Sequence, residues 1–407
     1  MDSTISFPEL SVTNETSGFK KKLLDIPFFI YATVFSSLCV IVGLIWDISW
    51  HTSIGRDGLL SPPHLVIYLG AVVSGLFSGY TVLKISFAGT SYERNSSVKF
   101  WGIFYGSLGA LFSIWGAFAM LTSAPFDDWW HNTYGLDVTI LSPPHSVLAL
   151  GIIMVQFGAM VGTLAMQNRD YQSSTLTTAE IDKRSTLLKW LFVTAAGLML
   201  VMMYTLLSES FTRWDMHSVT YYQTAAVLFP FFLVAISRAS KMKWAATNAT
   251  LIYTMVMCIM VWVLPLFNAE PKLGPVINHI THYQAFHFPM LLIIPAMGID
   301  WVMFKYDDKN DWVKAVIIIA MFLCLLFPVQ WLMGQVLMDP IGRTWFFGQS
   351  SWYFGNDPNW EYRFQFPPWT KNSLQQWVVG FLQAITFGYL SSRIGLFWGK
   401  WMRRVQR

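Results

Sequence analysis

Two stretches of the chain set out an acid and two histidines in the same order. The first reads DISWHTSIGRDGLLSPPH, from Asp47 to His64, and the second DDWWHNTYGLDVTILSPPH, from Asp127 to His145. Asp47 and His51 are four residues apart, as are Asp127 and His131, so each pair shares a face if its helix runs one turn further out. Ser61-Pro62-Pro63 and Ser142-Pro143-Pro144 have the form of helix starts: a serine at the N-cap, then prolines where a missing N–H costs nothing. His64 and His145 then fall in a first helical turn, where the positive end of the dipole favours a neutral, metal-competent ring. Folded as a hairpin, each stretch gathers two imidazoles and one carboxylate, with coordination positions left for water, oxygen or substrate. The expected metal ligands are Asp47, His51 and His64 in one hairpin and Asp127, His131 and His145 in the other. Asp57 and Asp137, in the loops, are expected to orient the histidines. This donor set suits copper, non-haem iron or zinc. The competing reading is a capping element with Asp–His hydrogen bonds at an interface; the presence of the whole set in both stretches favours ligation.

The second stretch also keeps Trp130, Gly135, Ser142, Pro143 and Pro144 against Trp50, Gly55, Ser61, Pro62 and Pro63. It has one extra loop residue and Leu136 in place of Arg56. The two read as a tandem duplication of a two-helix hairpin, both copies facing the same way. Further polar groups lie in later loops. His279 and His282 form an HxxH pair, open to a metal or to an ordinary hydrogen-bonded cluster, with His287 and Glu270 nearby. Glu209, Arg213, Trp214, Asp215 and His217 form another group, in which Arg213 reads as an interfacial charge beside an aromatic anchor.

The elements that must position these residues are membrane helices. Of 407 residues, 54% are hydrophobic and 12% charged, against about 25% charged in soluble domains; the mean hydropathy is +0.44. Spans of ~20 apolar residues are expected near 26–47, 64–86, 100–123, 144–167, 187–208, 219–238, 245–268, 284–304, 312–335 and 375–396. The organisation expected is an all-α polytopic membrane protein of about ten transmembrane helices in outward-facing hairpins. It comprises a tail (1–25), two Asp/His hairpins (26–86 and 100–167), four further helices (187–304) and a final pair (312–407) with an aromatic-rich outer loop (339–374). That loop suits a lid or a docking surface. Twenty-one Lys/Arg fall on the side of the termini and six on the other, which places both termini in the cytoplasm. All eight histidines then face outward, in or beside the hairpin loops. Cys39, Cys258 and Cys324 lie in apolar runs and form no CxxC motif. The net charge of +4 is scattered between spans, so no nucleic-acid partner is expected. The polar first ~25 residues lack the apolar core of a cleaved signal peptide.

Asp47-x3-His51-x12-His64, with Trp50 before the histidine and Arg56-Asp57 in the loop, resembles the metal-site segment found in one of the membrane subunits of the particulate methane and ammonia monooxygenases. The resemblance covers about 18 residues and implies copper on Asp47, His51 and His64, with further membrane or periplasmic subunits as partners. The first stretch has the family-like spacing and is therefore expected to hold the tighter site. Three activities stay open. One is a copper-dependent oxidase of a small apolar or redox substrate in a bacterial-type inner membrane. Another is a copper-handling or oxidase-assembly protein without turnover. The third, a haem-carrying quinol oxidoreductase subunit, fits poorly with histidines on one side only.

Overall fold

The computed structural model describes residues 25–55, 58–135, 142–169, 176–272, 280–349 and 372–407. Within them the chain forms ten helices of thirteen residues or more: α1 (Phe28–Ser53), α2 (Pro62–Ala88), α3 (Leu108–Tyr134), α4 (Pro143–Asn168), α5 (Thr178–Leu206), α6 (Val219–Ala239), α7 (Ala245–Val263), α8 (Ile293–Lys305), α9 (Asp311–Met338) and α10 (Leu374–Met402). All but α8 and α10 are long and apolar enough to cross a membrane. The chain is a multi-pass α-helical membrane protein.

Small residues let the helices approach. In the first hairpin a Cβ on Gly70 would lie 2.8 Å from the Ser36 carbonyl oxygen, and in the second a Cβ on Gly151 would lie 2.8 Å from that of Gly116. Lipid gives helices no hydrophobic reason to associate, so such close backbone contact supplies the packing. The two Asp/His hairpins, α1–α2 and α3–α4, are thus clasped at matching positions.

The connections sort into two ends. At one end Asn168 Nδ2 donates to the Val405 carbonyl (3.0 Å) and Lys241 Nζ to that of Gln167 (2.7 Å). At the other, Lys272 N donates to the Ile54 carbonyl (2.9 Å), Gln284 N to Ser53 Oγ (2.8 Å) and Trp262 Nε1 to the Phe346 carbonyl (2.8 Å). We call these the terminal end and the histidine end, because every described histidine lies at the second.

Two expected spans are corrected. The third does not begin near 100. Val98–Phe100 pairs antiparallel with Phe104–Gly106, around a turn with Trp101 and Gly102 in the left-handed region (φ 49° and 73°). Ser107 then caps α3, accepting from Ala110 N at 3.2 Å, and the helix runs on to Tyr134. The apolar residues near 100 pair as strands, and the helix starts at the first good cap.

The eighth span is helical only from Ile293. Pro289 has no N–H and disfavours helix at Phe288, so the chain approaches α8 extended. Its backbone groups are met by side chains from four helices. Ser49 Oγ donates to the Gln284 carbonyl (2.5 Å) and Tyr204 Oη to that of Phe288 (3.4 Å). Met290 N donates to Tyr253 Oη (3.1 Å) and Leu291 N to Gln330 Oε1 (3.2 Å). Irregular backbone is tolerated at membrane depth only when satisfied in this way.

Candidate metal centre

Helix α1 continues past the apolar run to Ser53, so Asp47 and His51 share a face one turn apart. Pro62 and Pro63 open α2 and place His64 third in the helix. Asp47 then lies between the two imidazoles: its Oδ2 is 3.8 Å from His51 Nε2 and its Oδ1 is 3.3 Å from His64 Nε2. These separations exceed the usual hydrogen-bond range. Asp47 Oδ1 is buried and accepts no hydrogen bond among the described residues, an arrangement that a cation between carboxylate and imidazole would satisfy.

The second hairpin gathers the same set differently. Asp127 Oδ1 is 3.5 Å from His131 Nε2 and 3.3 Å from His145 Nε2, so one oxygen meets both rings. Ligand atoms of Asp127, His131 and His145 all lie within 4.8 Å of one another, and the two rings meet edge to face with centroids 6.1 Å apart. Gly135, at φ 90°, turns the chain so that its carbonyl lies 2.9 Å from His131 Nδ1. A neutral ring that donates from Nδ1 to this carbonyl keeps the Nε2 lone pair for a metal.

The helix starts differ as well. Ser142 Oγ accepts from His145 N at 3.3 Å, as a cap should. Among the described residues the Ser61 side chain makes no cap hydrogen bond, and prolines open α2. Asp57, Asp137 and His279 lie outside the described residues, as does most of the 339–374 loop.

The remaining predicted groups are held by other contacts. His282 forms a bridge with Asn268, and its Nδ1 lies 2.9 Å from Thr281 Oγ1. Its neighbour Tyr283 packs on Trp50, rings 6.2 Å apart, so this segment leans against the first hairpin. His217 packs edge-on to Trp331 (4.3 Å), with Nε2 3.1 Å from the Trp331 carbonyl. Asp215 closes its own turn by accepting from Thr212 Oγ1. Glu270 is exposed.

Sequence reasoning missed a cavity of about 370 Å³ at the histidine end, lined by Ser49 and Thr52 of α1, Glu209, Arg213, Gln284 and His287, among others. Burial, and the nearby Arg343 charge, push the Arg213 guanidinium down to about 10. From sequence this position reads as an interfacial charge beside an aromatic anchor. Comparison with protein-family models, with characterised proteins and with solved structures returns no match.

Proposed function

We propose that the protein binds copper at the two Asp/His hairpins, on the outward side of a bacterial-type inner membrane, and serves an oxygen-dependent oxidation of a small apolar or redox substrate. The observation that carries this reading is the convergence of Asp127 Oδ1, His131 Nε2 and His145 Nε2 within 4.8 Å, with the same residue types gathered around Asp47. Donor atoms about 2.0–2.2 Å from a shared ion sit roughly 3 Å from one another, which the observed separations approach without rearranging a helix. The carboxylate offsets the charge of the ion, the helix starts bring His64 and His145 to it in their first turns, and the Gly135 carbonyl fixes the ring of His131. Copper would supply one-electron redox chemistry and an affinity for oxygen. Its choice over iron or zinc, like the reading of the hairpins as a duplication, rests on the sequence pattern and its resemblance to the monooxygenase segment. The outward assignment rests on the Lys/Arg bias.

A second reading, copper handling without turnover, is favoured by the accessibility of one histidine in each hairpin: the side chains of His51 and His145 are 36% and 30% exposed. Such ligands can pass an ion to a partner. Metal analysis and electron paramagnetic resonance of detergent-purified protein test the proposal. Bound copper with nitrogen hyperfine coupling is expected, and a reporter fused after Arg407 should read as cytoplasmic. Protein that retains no copper after reconstitution ends the metal reading, and an external reporter ends the outward one. Catalysed oxygen uptake by the copper-loaded protein separates oxidation from handling.

A further inference from the structure

A second cavity, of about 450 Å³, lies at the terminal end, where α6 ends, the chain turns into α7 and α8 finishes. Four cations line it, Arg238, Lys241, Lys243 and Arg403, together with the carboxylates of Asp300 and Asp307. The charges do not cancel within it. Asp300 is buried and fully engaged in capping α7: it accepts from Ser237 Oγ (2.6 Å), Thr247 Oγ1 (2.7 Å), Thr247 N (2.8 Å) and Ala246 N (3.3 Å). Asp307 faces Lys314, 3.6 Å away, and Arg238 is paired with Asp311 at 2.6 Å. Lys241, Lys243 and Arg403 have no carboxylate within ion-pair distance among the described residues. Lys241 Nζ reaches only the Gln167 carbonyl, and Lys243 Nζ stands 5.7 Å over the ring of Phe304.

Two further features shape the mouth of the cavity. Trp244, between Lys243 and α7, is held in the left-handed region at φ 59°, a conformation that a bulky residue adopts at a cost and keeps only when its surroundings impose it. The Asp300 bonds to Ala246 and Thr247 impose it here. The rim is apolar: Phe304 is 74% and Trp244 46% exposed, at the end of a bundle built to sit in lipid.

We propose that this cavity binds the phosphodiester headgroup of an anionic phospholipid, with the phosphate among Lys241, Lys243 and Arg403 and the acyl chains running out past Phe304 and Trp244. Cations that lack a carboxylate supply charge-assisted hydrogen bonds to phosphate oxygens, and basic pockets between membrane helices commonly take such headgroups. A choline headgroup would bring its own cation against these side chains. A soluble phosphate compound would leave the apolar rim uncovered. The inference requires only that the bundle spans a membrane, not that its hairpins bind metal.

The test is native mass spectrometry of the full chain in detergent, with dioleoylphosphatidylglycerol, dioleoylphosphatidylcholine and inorganic phosphate as probes. Phosphatidylglycerol should be retained in preference to phosphatidylcholine, and each cation neutralised should weaken its retention about fivefold. Lys241→Gln/Lys243→Gln/Arg403→Gln should bring the two lipids near parity, with helix content and lipid-free melting unchanged. Lys243→Gln alone, at an exposed position, gives the same reading on a smaller scale if the triple variant does not fold. Equal retention of both lipids by the parent, or an unchanged preference in the variants, overturns the proposal. Displacement of the lipid by millimolar inorganic phosphate would assign the site to a soluble phosphate compound instead.

Discussion

The two Asp/His hairpins hold the same residue types in the same order, yet they shield opposite members. In the first, His51 at the end of α1 is the exposed ring and His64 at the start of α2 the sheltered one, at 36% and 16%. In the second the order reverses, with His131 at 13% and His145 at 30%. The carboxylates differ in step: Asp47 gives one oxygen to each histidine, whereas Asp127 turns a single oxygen to both. A motif therefore specifies which groups meet, while the loop and the neighbouring segments decide how they meet. The first hairpin has the 281–284 segment against it; the second has Gly135 holding His131 from within.

This difference turns the sequence expectation around. Three donor atoms already gathered, one of them fixed by a carbonyl, lose less freedom on binding an ion, so we expect the second hairpin to bind more tightly. The largest effect should come from His131→Ala/His145→Ala, which removes the tighter ion, while His51→Ala/His64→Ala removes the weaker one. Metal titrations of the two double variants and their combination would show this. If each double variant loses all the metal, the hairpins share one ion and the comparison collapses.

A smaller effect follows from the carboxylates. Asp127→Asn removes the described anion that both rings face, and affinity should fall by about 10- to 100-fold. Asp47→Asn should cost less, because the first hairpin starts weaker. Equal losses by competition with a chelator would show that the position of the oxygen does not matter. The smallest expected effect is that of Gly135→Ala. At φ 90° an added Cβ strains the turn by roughly 1 kcal/mol and displaces the carbonyl that holds His131, for a few-fold loss of metal. Gly55→Ala, at φ 99°, should strain its turn alike. Comparable metal loss from both would remove the special role given to the Gly135 carbonyl.

Much of this was legible in the sequence because membrane helices and proline starts are local signals. The first two helices, the α4 start at Pro143 and the pairing of Asp47 and Asp127 with both of their histidines follow from spacing alone. The missed parts depend on partners distant in the chain. Nothing near residue 100 says that its apolar run will pair as strands, and nothing near Phe288 says that Tyr204, Tyr253 and Gln330 will satisfy an extended backbone. Ser61 and Ser142 stand in identical Ser-Pro-Pro contexts, yet only the second caps, so even a strong local signature left the detail to its surroundings.

The extended chain before α8 also bears on how the protein is made. Thirteen residues of α8 reach about 20 Å, short of the ~30 Å hydrocarbon layer, and the preceding backbone cannot rest in lipid unpaired. Its hydrogen-bond partners lie on α1, α5 and α7, already synthesised, and on α9, not yet emerged from the ribosome. The Leu291 bond to Gln330 can therefore form only after α9 has been made, so the order of synthesis sets which of these backbone groups is satisfied last.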